Sequence, residues 1–386
     1  MNSSQIPHFD YIFTGTGLAS LMTVYKMILS KKFTDKSILL LDENAKKEND
    51  RTWCFWGKEE TVWDSVIFNK WDSALFANET FNRDLALTPY QYNQIRGLDF
   101  YNLVFDAISK QSNITFLTEK VTDINELETH VFVGTDHNRF TCTYLFNSIY
   151  TKASAERQAK YPVLQQHFIG WFVKSEKEIF DPEQATFMDF SVEQKGNTRF
   201  MYVLPNSKTE ALVEYTLFSD KLLLKEEYED EIQKYLKKLG AIEYQILEKE
   251  QGSIPMTCFP FWKKNTKRVL NIGTAGGWTK ASTGYTFKNS DKKSSELVKS
   301  LQGEEFKMKD FHKKNRFWYY DLLLLDILYR QNELGSSIFF SLFKKGNPAL
   351  IFKFLDEETS LAEDFKVIWK CPKLPFIKAL FRNLIK

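Results

Sequence analysis

Residues 9–20 read FDYIFTGTGLAS, a short apolar run that enters two closely spaced glycines and passes straight into a helical pattern. In GLASLMTVYKMILSKK (17–32), Leu18, Leu21, Met22, Tyr25, Ile28 and Leu29 recur at helical spacing. SILLLDEN (37–44) follows as a continuous apolar strand closed by Asp42 and Glu43. The three pieces predict a βαβ unit. Gly15 and Gly17 open its helix, and the acidic pair closes the second strand about 25 residues later, where a dinucleotide's ribose hydroxyls meet a carboxylate while its pyrophosphate meets the helix N-terminus. Ser20 replaces the third glycine of that pattern and is still small enough for close packing of helix on strand. A tight turn in any α/β domain uses similar glycines, but strand, helix and acidic residue in register favour the nucleotide. The unit does not choose between NAD and FAD; its place at the start of the chain leans toward FAD.

A second glycine cluster lies in RVLNIGTAGGWTKASTGYTF (268–287). An apolar strand runs into Gly273, Thr274, Gly276 and Gly277, and Thr283 and Gly284 follow, so the backbone can approach a ligand closely. A surface loop has no need of Trp278, Tyr285 and Phe287 among small residues. Ser282 to Thr286 are expected to begin a helix whose free N–H groups face a flavin ring or phosphate.

Between these clusters the chain is β-rich. ITFLTEKVTDINEL, HVFVGTD and FTCTYLFNSIY predict a small sheet, and FIGWFVKS, ATFMDFSV, TRFMYVLPNS and ALVEYTLFS an antiparallel substrate lobe. SDKLLLKEEYEDEIQKYLKKLG (219–240) predicts an amphipathic helix capped by Ser219 or Asp220 and ended by Gly240. In ALVEYTLF (211–218), Glu214 shares a strand face with Leu212, Thr216 and Phe218. Either this is an edge strand whose carboxylate reaches water, or apolar surroundings raise the carboxyl's pKa so that it holds a proton to donate near neutral pH.

The chain has 386 residues, 43% hydrophobic and 26% charged, which predicts a globular α/β protein with room for several lobes. A net charge of +2 gives no electrostatic case for nucleic acid. Cys54, Cys142, Cys258 and Cys371 lie far apart, with no CxxC or metal-ligand spacing, which predicts reduced thiols in a cytoplasmic setting and no metal site. MNSSQIPHFDYIF shows no basic and apolar regions of a secretory signal, so structure is expected from the start. No run reaches the roughly 18–20 apolar residues of a spanning helix; FWYYDLLLLDILY is interrupted by Asp321 and Asp326. Aromatics make up 16%, compatible with a long apolar cavity. From about residue 300 the pattern is helical. CPKLPFIKALFRNLIK ends it, combining Phe376, Ile377, Leu380, Phe381 and Leu384 with Lys378, Arg382 and Lys386, a mixture that suits either a helix lying on anionic lipid or one docked on its own domain.

Taken together, DYIFTGTGLAS, NDRTWCFW, VEYT, GSIPM and IGTAGGWTKASTGYTF resemble, in order and rough spacing over essentially the whole chain, the bacterial flavin-dependent lycopene β-cyclases. The resemblance implies an FAD-binding Rossmann-like domain with an antiparallel β substrate domain and a helical C-terminal region, divided as 1–160 and 251–300 for the FAD-binding part, 161–250 for the substrate lobe and 301–386 for the helices. It implies conversion of the linear ends of lycopene to β-ionone rings, giving β-carotene without net redox change. It also implies reduced FAD as cofactor and NAD(P)H as its electron source; the insolubility of such a substrate, with the basic C-terminal helix, predicts peripheral attachment at the inner face of the membrane. On this sequence the family's essential glutamate falls on Glu214, the cofactor contacts on Gly15, Gly17, Ser20, Asp42, Glu43, Gly273, Thr274, Gly276, Gly277, Thr283 and Gly284, and the end-group pocket on Arg51, Trp53, Phe55, Trp56 and Trp278.

Thr274 stands where many flavoproteins have Asp, which leaves backbone N–H groups to do the binding. KFLDEETSL (353–361) resembles the string around the catalytic glutamate of plant cyclases, but lies too near the C-terminus, so Asp356, Glu357 and Glu358 are read as a solvated helix start. A monooxygenase or polyprenyl reductase on the same fold, and a carotenoid carrier without activity, are the competing readings.

Overall fold

A computed structural model of the chain describes residues 6–303 and 306–384. The first five residues and Lys386 therefore lie outside the described part.

The βαβ unit forms as its sequence predicts. Strand His8–Thr14, helix Leu18–Ser30 and strand Ile38–Asp42 follow one another, and the two strands pair in parallel with Phe13 opposite Leu40. They belong to a seven-stranded sheet that also takes in Ile114–Thr118, Val121–Glu126, Val131–Thr135, Arg139–Asn147 and Val269–Asn271. The segment 114–150 thus makes no small sheet of its own. Arg139–Asn147 lies parallel to His8–Thr14, Cys142 beside Phe9, and this long-range pairing is invisible to local pattern. Its first half also pairs antiparallel with Val131–Thr135, and its second half, on the same side, with Val269–Asn271, whose Val269, Leu270 and Asn271 stand opposite Leu145, Phe146 and Asn147. Helices Leu18–Ser30, Gly97–Ser109 and Phe287–Leu301 cover one sheet face around Phe13, Leu40, Phe100 and Phe287, all buried.

A second seven-stranded sheet forms the other lobe, in the order Tyr244–Met256, Leu164–Ser175, Glu210–Ser219, Thr198–Pro205, Gln184–Asp189, Ser73–Asn78, Phe81–Ala86. This lobe is wider than 161–250: the strands at 73–86 cross over from the first segment, and Tyr244–Met256 continues past residue 250. On one face Val213, Tyr215 and Leu217 pack against Ile232 and Leu236 of helix Lys225–Lys238. That helix starts later than its sequence suggested, since Ser219 ends the strand with its hydroxyl 2.7 Å from Nε2 of His167 and caps nothing. Leu212, Phe218 and Phe200 on the opposite face meet Phe339 and Phe343 of helix Gly335–Lys345. A three-stranded sheet, Thr52–Gly57, Ile67–Trp71 and Gln91–Arg96, sits between the lobes.

The C-terminal region is helical: Arg316–Arg330, Gly335–Lys345, Pro348–Leu355, Leu361–Ile368 and Lys373–Leu384. Asp356 and Glu357 follow the end of a helix and do not start one. Asp356 is buried in an ion pair with Lys288, and Glu357, half-buried, reaches Lys280 at 3.1 Å; only Glu358 is exposed. The next helix is capped by Ser360, whose hydroxyl and the Glu363 carboxylate form a capping box. The last helix docks on its own domain through one face and leaves another face exposed. Ala379 and Phe376 dock beside Ile327 and Ile338, and the guanidinium of Arg382 pairs with Asp326 at 2.8 Å, while Leu374, Ile377, Leu380, Phe381 and Leu384 remain exposed. Among the described residues no helix is long and apolar enough to cross a membrane.

Candidate active site

Glu214 occupies the middle of Glu210–Ser219, an interior strand flanked on both sides, so the edge-strand reading fails. Its side chain is 7% exposed, and the hydroxyl of Thr216, two residues on along the same face, donates to Oε1. Gly170 stands opposite Glu214 on the neighbouring strand, and Glu250 stands opposite Gly170 on the strand beyond. Glu250 is equally buried at 7% and accepts from the Thr52 hydroxyl at 2.7 Å. Burial first, then the Glu250 carboxylate, push the Glu214 carboxyl up from its ordinary value against the Thr216 hydroxyl. Burial likewise raises Glu250, opposed by Thr52 and Arg51.

Both glutamates line a cavity of about 470 Å³, within the ordinary range of ligand pockets. Around Glu214 its wall is apolar and aromatic, with Leu212, Phe187, Phe200, Phe218 and Phe343. Three tyrosines add hydroxyls: Tyr92 Oη lies 2.6 Å from that of Tyr202 and 3.1 Å from that of Tyr285, and Tyr202 stands opposite Glu214 on its other flank. Burial raises the pKa of all three, so each remains a neutral donor.

The far end of the cavity reaches Gly17, Leu18, Ala19, Lys46, Gly273 and Thr274. Here the sequence builds an anion cradle. Helix Leu18–Ser30 has Gly17 as its N-cap, with no side-chain cap and no acidic residue in its first turn, and no atom lies within 4 Å of where a Gly17 Cβ would stand. Its amides and positive dipole end are thus open to a ligand. Helix Phe287–Leu301 also lacks a side-chain cap and an acidic first turn, and Thr283, Gly284 and Thr286 before it line the same cavity. These features fit a dinucleotide whose pyrophosphate meets the first helix and whose ring meets the second.

Of the residues singled out from sequence, Gly17, Arg51, Trp53, Glu214, Gly273, Thr274, Thr283 and Gly284 line this cavity together. The others lie behind it. Gly15, at φ +81°, makes the turn, and Ser20 Oγ donates to its carbonyl at 2.6 Å, so the hydroxyl braces the bend where the usual pattern has a third glycine. The Asp42 carboxylate accepts from the amide of Thr16 at 2.6 Å and from its hydroxyl at 2.9 Å, and Glu43 is exposed toward Lys120. Gly276 packs on the Asn271 carbonyl and Gly277 takes φ +73° beside Phe261. Phe55 stacks on Phe287 at 4.5 Å and Trp56 on Phe352 at 4.7 Å, both outside the cavity lining. Trp278 is buried beside Phe311 and borders a different cavity with Trp262 and His312.

Sequence reasoning missed Glu250, Lys46, Tyr92 and Tyr202, and noted Tyr285 only as an aromatic of the second glycine cluster. The signal for Glu250 was Gly170 in FIGWFVKS, a glycine inside a strand pattern, which marks a close approach.

The fold defined by this arrangement is that of the two-lobed flavoproteins. It is shared, at 12% identity and a TM-score of 0.63, with a geranylgeranyl bacteriochlorophyll reductase-like protein from Thermoplasma acidophilum, over 98% of this chain and 100% of that one. A flavoprotein/dehydrogenase from Cytophaga hutchinsonii matches equally, at 12% identity and 0.63, over 97% and 98%. Within that class, residues 10–381 match the family described as Lycopene cyclase protein, and the chain belongs to that family. A lycopene beta-cyclase of Pantoea ananas is 25% identical over 298 residues, covering 72% of this chain and 71% of the relative.

Proposed function

We propose that this enzyme cyclises the linear ends of lycopene to β-ionone rings, giving β-carotene by way of γ-carotene. The observation that carries the reading is Glu214, a buried carboxyl whose pKa is pushed up to about 8 by burial, in the wall of an aromatic cavity that runs to two open helix N-termini. A hydrocarbon polyene offers no heteroatom, so the reaction has to begin with proton addition to an end-group double bond, which needs a strong enough acid in a dry site.

Glu214 donates that proton, forming a C–H bond and leaving a cation on the adjoining carbon. The neighbouring double bond closes on the cation, making the ring C–C bond, and loss of a ring proton restores neutrality. Proton gain and loss balance, so the product is an isomer of the substrate, as for an intramolecular lyase or isomerase. Phe187, Tyr202 and Tyr285 line the cavity with Glu214, and aromatic rings stabilise positive charge through their quadrupoles. Tyr92, Tyr202 and Tyr285 hydrogen-bond with one another, which leaves their hydroxyls less free to hold water beside the cation. Gly17, Gly273, Thr274 and Gly284, through their backbone, and Lys46 would hold FAD, which in its reduced form, maintained by NAD(P)H, would supply negative charge to the site.

The substrate's insolubility places the enzyme at a lipid surface. Leu361, Phe365 and Trp369 recur at helical spacing and are exposed, as are Leu374, Ile377 and Phe381 on the next helix. From Phe365 to Leu384 the chain carries Lys366, Lys370, Lys373 and Lys378, besides Arg382 that Asp326 engages, and no acidic residue, which matches an anionic bilayer at the cytoplasmic face.

Anaerobic incubation with FAD, NADPH and lycopene in liposomes tests the reading. β-Carotene from wild type and none from Glu214→Gln is the expected result. Product from both proteins removes Glu214 from the chemistry, and NADPH consumed in step with product makes the enzyme a redox catalyst on the same fold.

A further inference from the structure

We propose that Glu250 is the positioning partner of Glu214, the two carboxyls sharing one proton through the gap that Gly170 leaves between their strands. This rests on the reading of Glu214 as proton donor.

The register puts Glu214, Gly170 and Glu250 in one row across three strands, on one face of the sheet. Residues two strands apart are separated by about 10 Å along the hydrogen-bonding direction, and a side chain between them would keep their carboxyls apart. At Gly170 there is none. A Cβ at that position would stand 3.3 Å from Cγ of Glu250, 3.5 Å from Cβ of Glu214 and 2.9 Å from Cδ1 of Leu212, so the Glu250 arm already leans over the glycine and the base of Glu214 borders it.

The groups around the pair are unequal. Facing Glu250 are Arg51, Arg96, Glu248 and the Thr52 hydroxyl, with Arg96 engaged by Glu248 at 2.8 Å. Facing Glu214 are Thr216, Tyr202, Tyr285, Tyr92 and the thiol of Cys54, none of them charged. Among the described residues, no cation is among the groups that shift Glu214. Two carboxylates cannot both stay ionised in such a space, so one proton is retained, as in other carboxyl dyads. Glu250, with the arginines and a donor, takes the anionic role; Glu214, with one hydroxyl, keeps the proton and faces the hydrocarbon. Once that proton has gone to the substrate, two adjacent anions make a strong base, and the ring proton lost at the end can restore the pair.

The test is infrared spectroscopy of the flavin-loaded protein, following the protonated-carboxyl band between about pH 5 and pH 9, beside the pH profile of lycopene cyclisation. A band that persists past neutrality in wild type and is absent from Glu214→Gln is expected. Glu250→Gln removes the like charge, so the band of Glu214 should vanish about one pH unit lower, and the alkaline limb of cyclisation should move down with it. Glu250→Asp should keep the wild-type profile. Thr52→Val, which removes only the donor to Glu250, should shift the band's loss to higher pH and provides an independent reading if Glu250→Gln fails to fold. Unshifted titrations in Glu250→Gln or Thr52→Val overturn the pairing. The expected infrared shifts in a protein that never cyclises lycopene uphold the pairing and overturn the proposed function.

Discussion

Nζ of Lys280 lies 3.0 Å from Oδ2 of Asp321, and both side chains are buried. Glu357 reaches the same ammonium at 3.1 Å, and the Ser282 hydroxyl donates to Asp321 at 2.7 Å. This cluster fastens the loop that carries Thr283, Gly284 and Tyr285, part of the cavity wall, to helix Arg316–Arg330 and to the turn after Pro348–Leu355.

Breaking one partner of a buried pair leaves an uncompensated charge. Lys280→Met should therefore destabilise the protein by about 3–5 kcal/mol, measured by chemical denaturation. The double variant with Asp321→Asn should recover part of that loss; no recovery would mean that the ammonium's role is packing alone.

The raised Glu214 carboxyl makes stability depend on pH. The folded state holds a proton that the unfolded chain releases above the ordinary Glu value of about 4.3, so its contribution is full below that value and is lost as pH rises through the higher folded one. Wild type should lose on the order of 2 kcal/mol between about pH 6 and pH 9 from this source, and Glu214→Gln should show a flatter dependence. Parallel denaturation curves for the two proteins would remove Glu214 as the cause.

Gly15 and Gly17 should respond differently to alanine. At Gly15 the backbone has φ +81° and a Cβ would stand 2.5 Å from Ser148 Oγ, so Gly15→Ala should cost about 1–3 kcal/mol of stability. At Gly17 the space is open and φ is −75°, so Gly17→Ala should leave stability within about 0.5 kcal/mol of wild type while weakening flavin retention, read from absorbance after gel filtration. Full flavin retention in Gly17→Ala would show that no ligand approaches that backbone.

Phe365→Ser with Trp369→Ser removes two exposed aromatics from the basic C-terminal face. Each apolar side chain buried in lipid contributes about 1.5–3 kcal/mol, so co-sedimentation with anionic vesicles should weaken about tenfold or more, and raised salt should weaken wild-type binding further. Unchanged sedimentation would move the lipid contact elsewhere.

What the sequence revealed depended on distance along the chain. The βαβ unit was legible because strand, helix, glycines and acidic residue fall within residues 8–43 and carry their own periodicities. Glu214 was legible as an anomaly in a single strand. Glu250 was not: most of its strand, Tyr244–Met256, is exposed, and its place in one row with Glu214 comes from the pairing of both strands with the one that carries Gly170. The small sheet expected at 114–150 failed for the same kind of reason, since Arg139–Asn147 takes its place from His8–Thr14. Asp356 and Glu357 looked solvated because Lys280 and Lys288, which neutralise them, are about 70 residues away.

Strand Arg139–Asn147 has a neighbour on one side that arrives in two instalments, Val131–Thr135 along its first half and Val269–Asn271 along its second. During synthesis the backbone of Leu145, Phe146 and Asn147 therefore remains an open edge on that side until the entire second lobe has been made, exposed to any other strand that passes. A nascent chain stopped anywhere between these two segments carries a ready template for association with its neighbours on the same messenger.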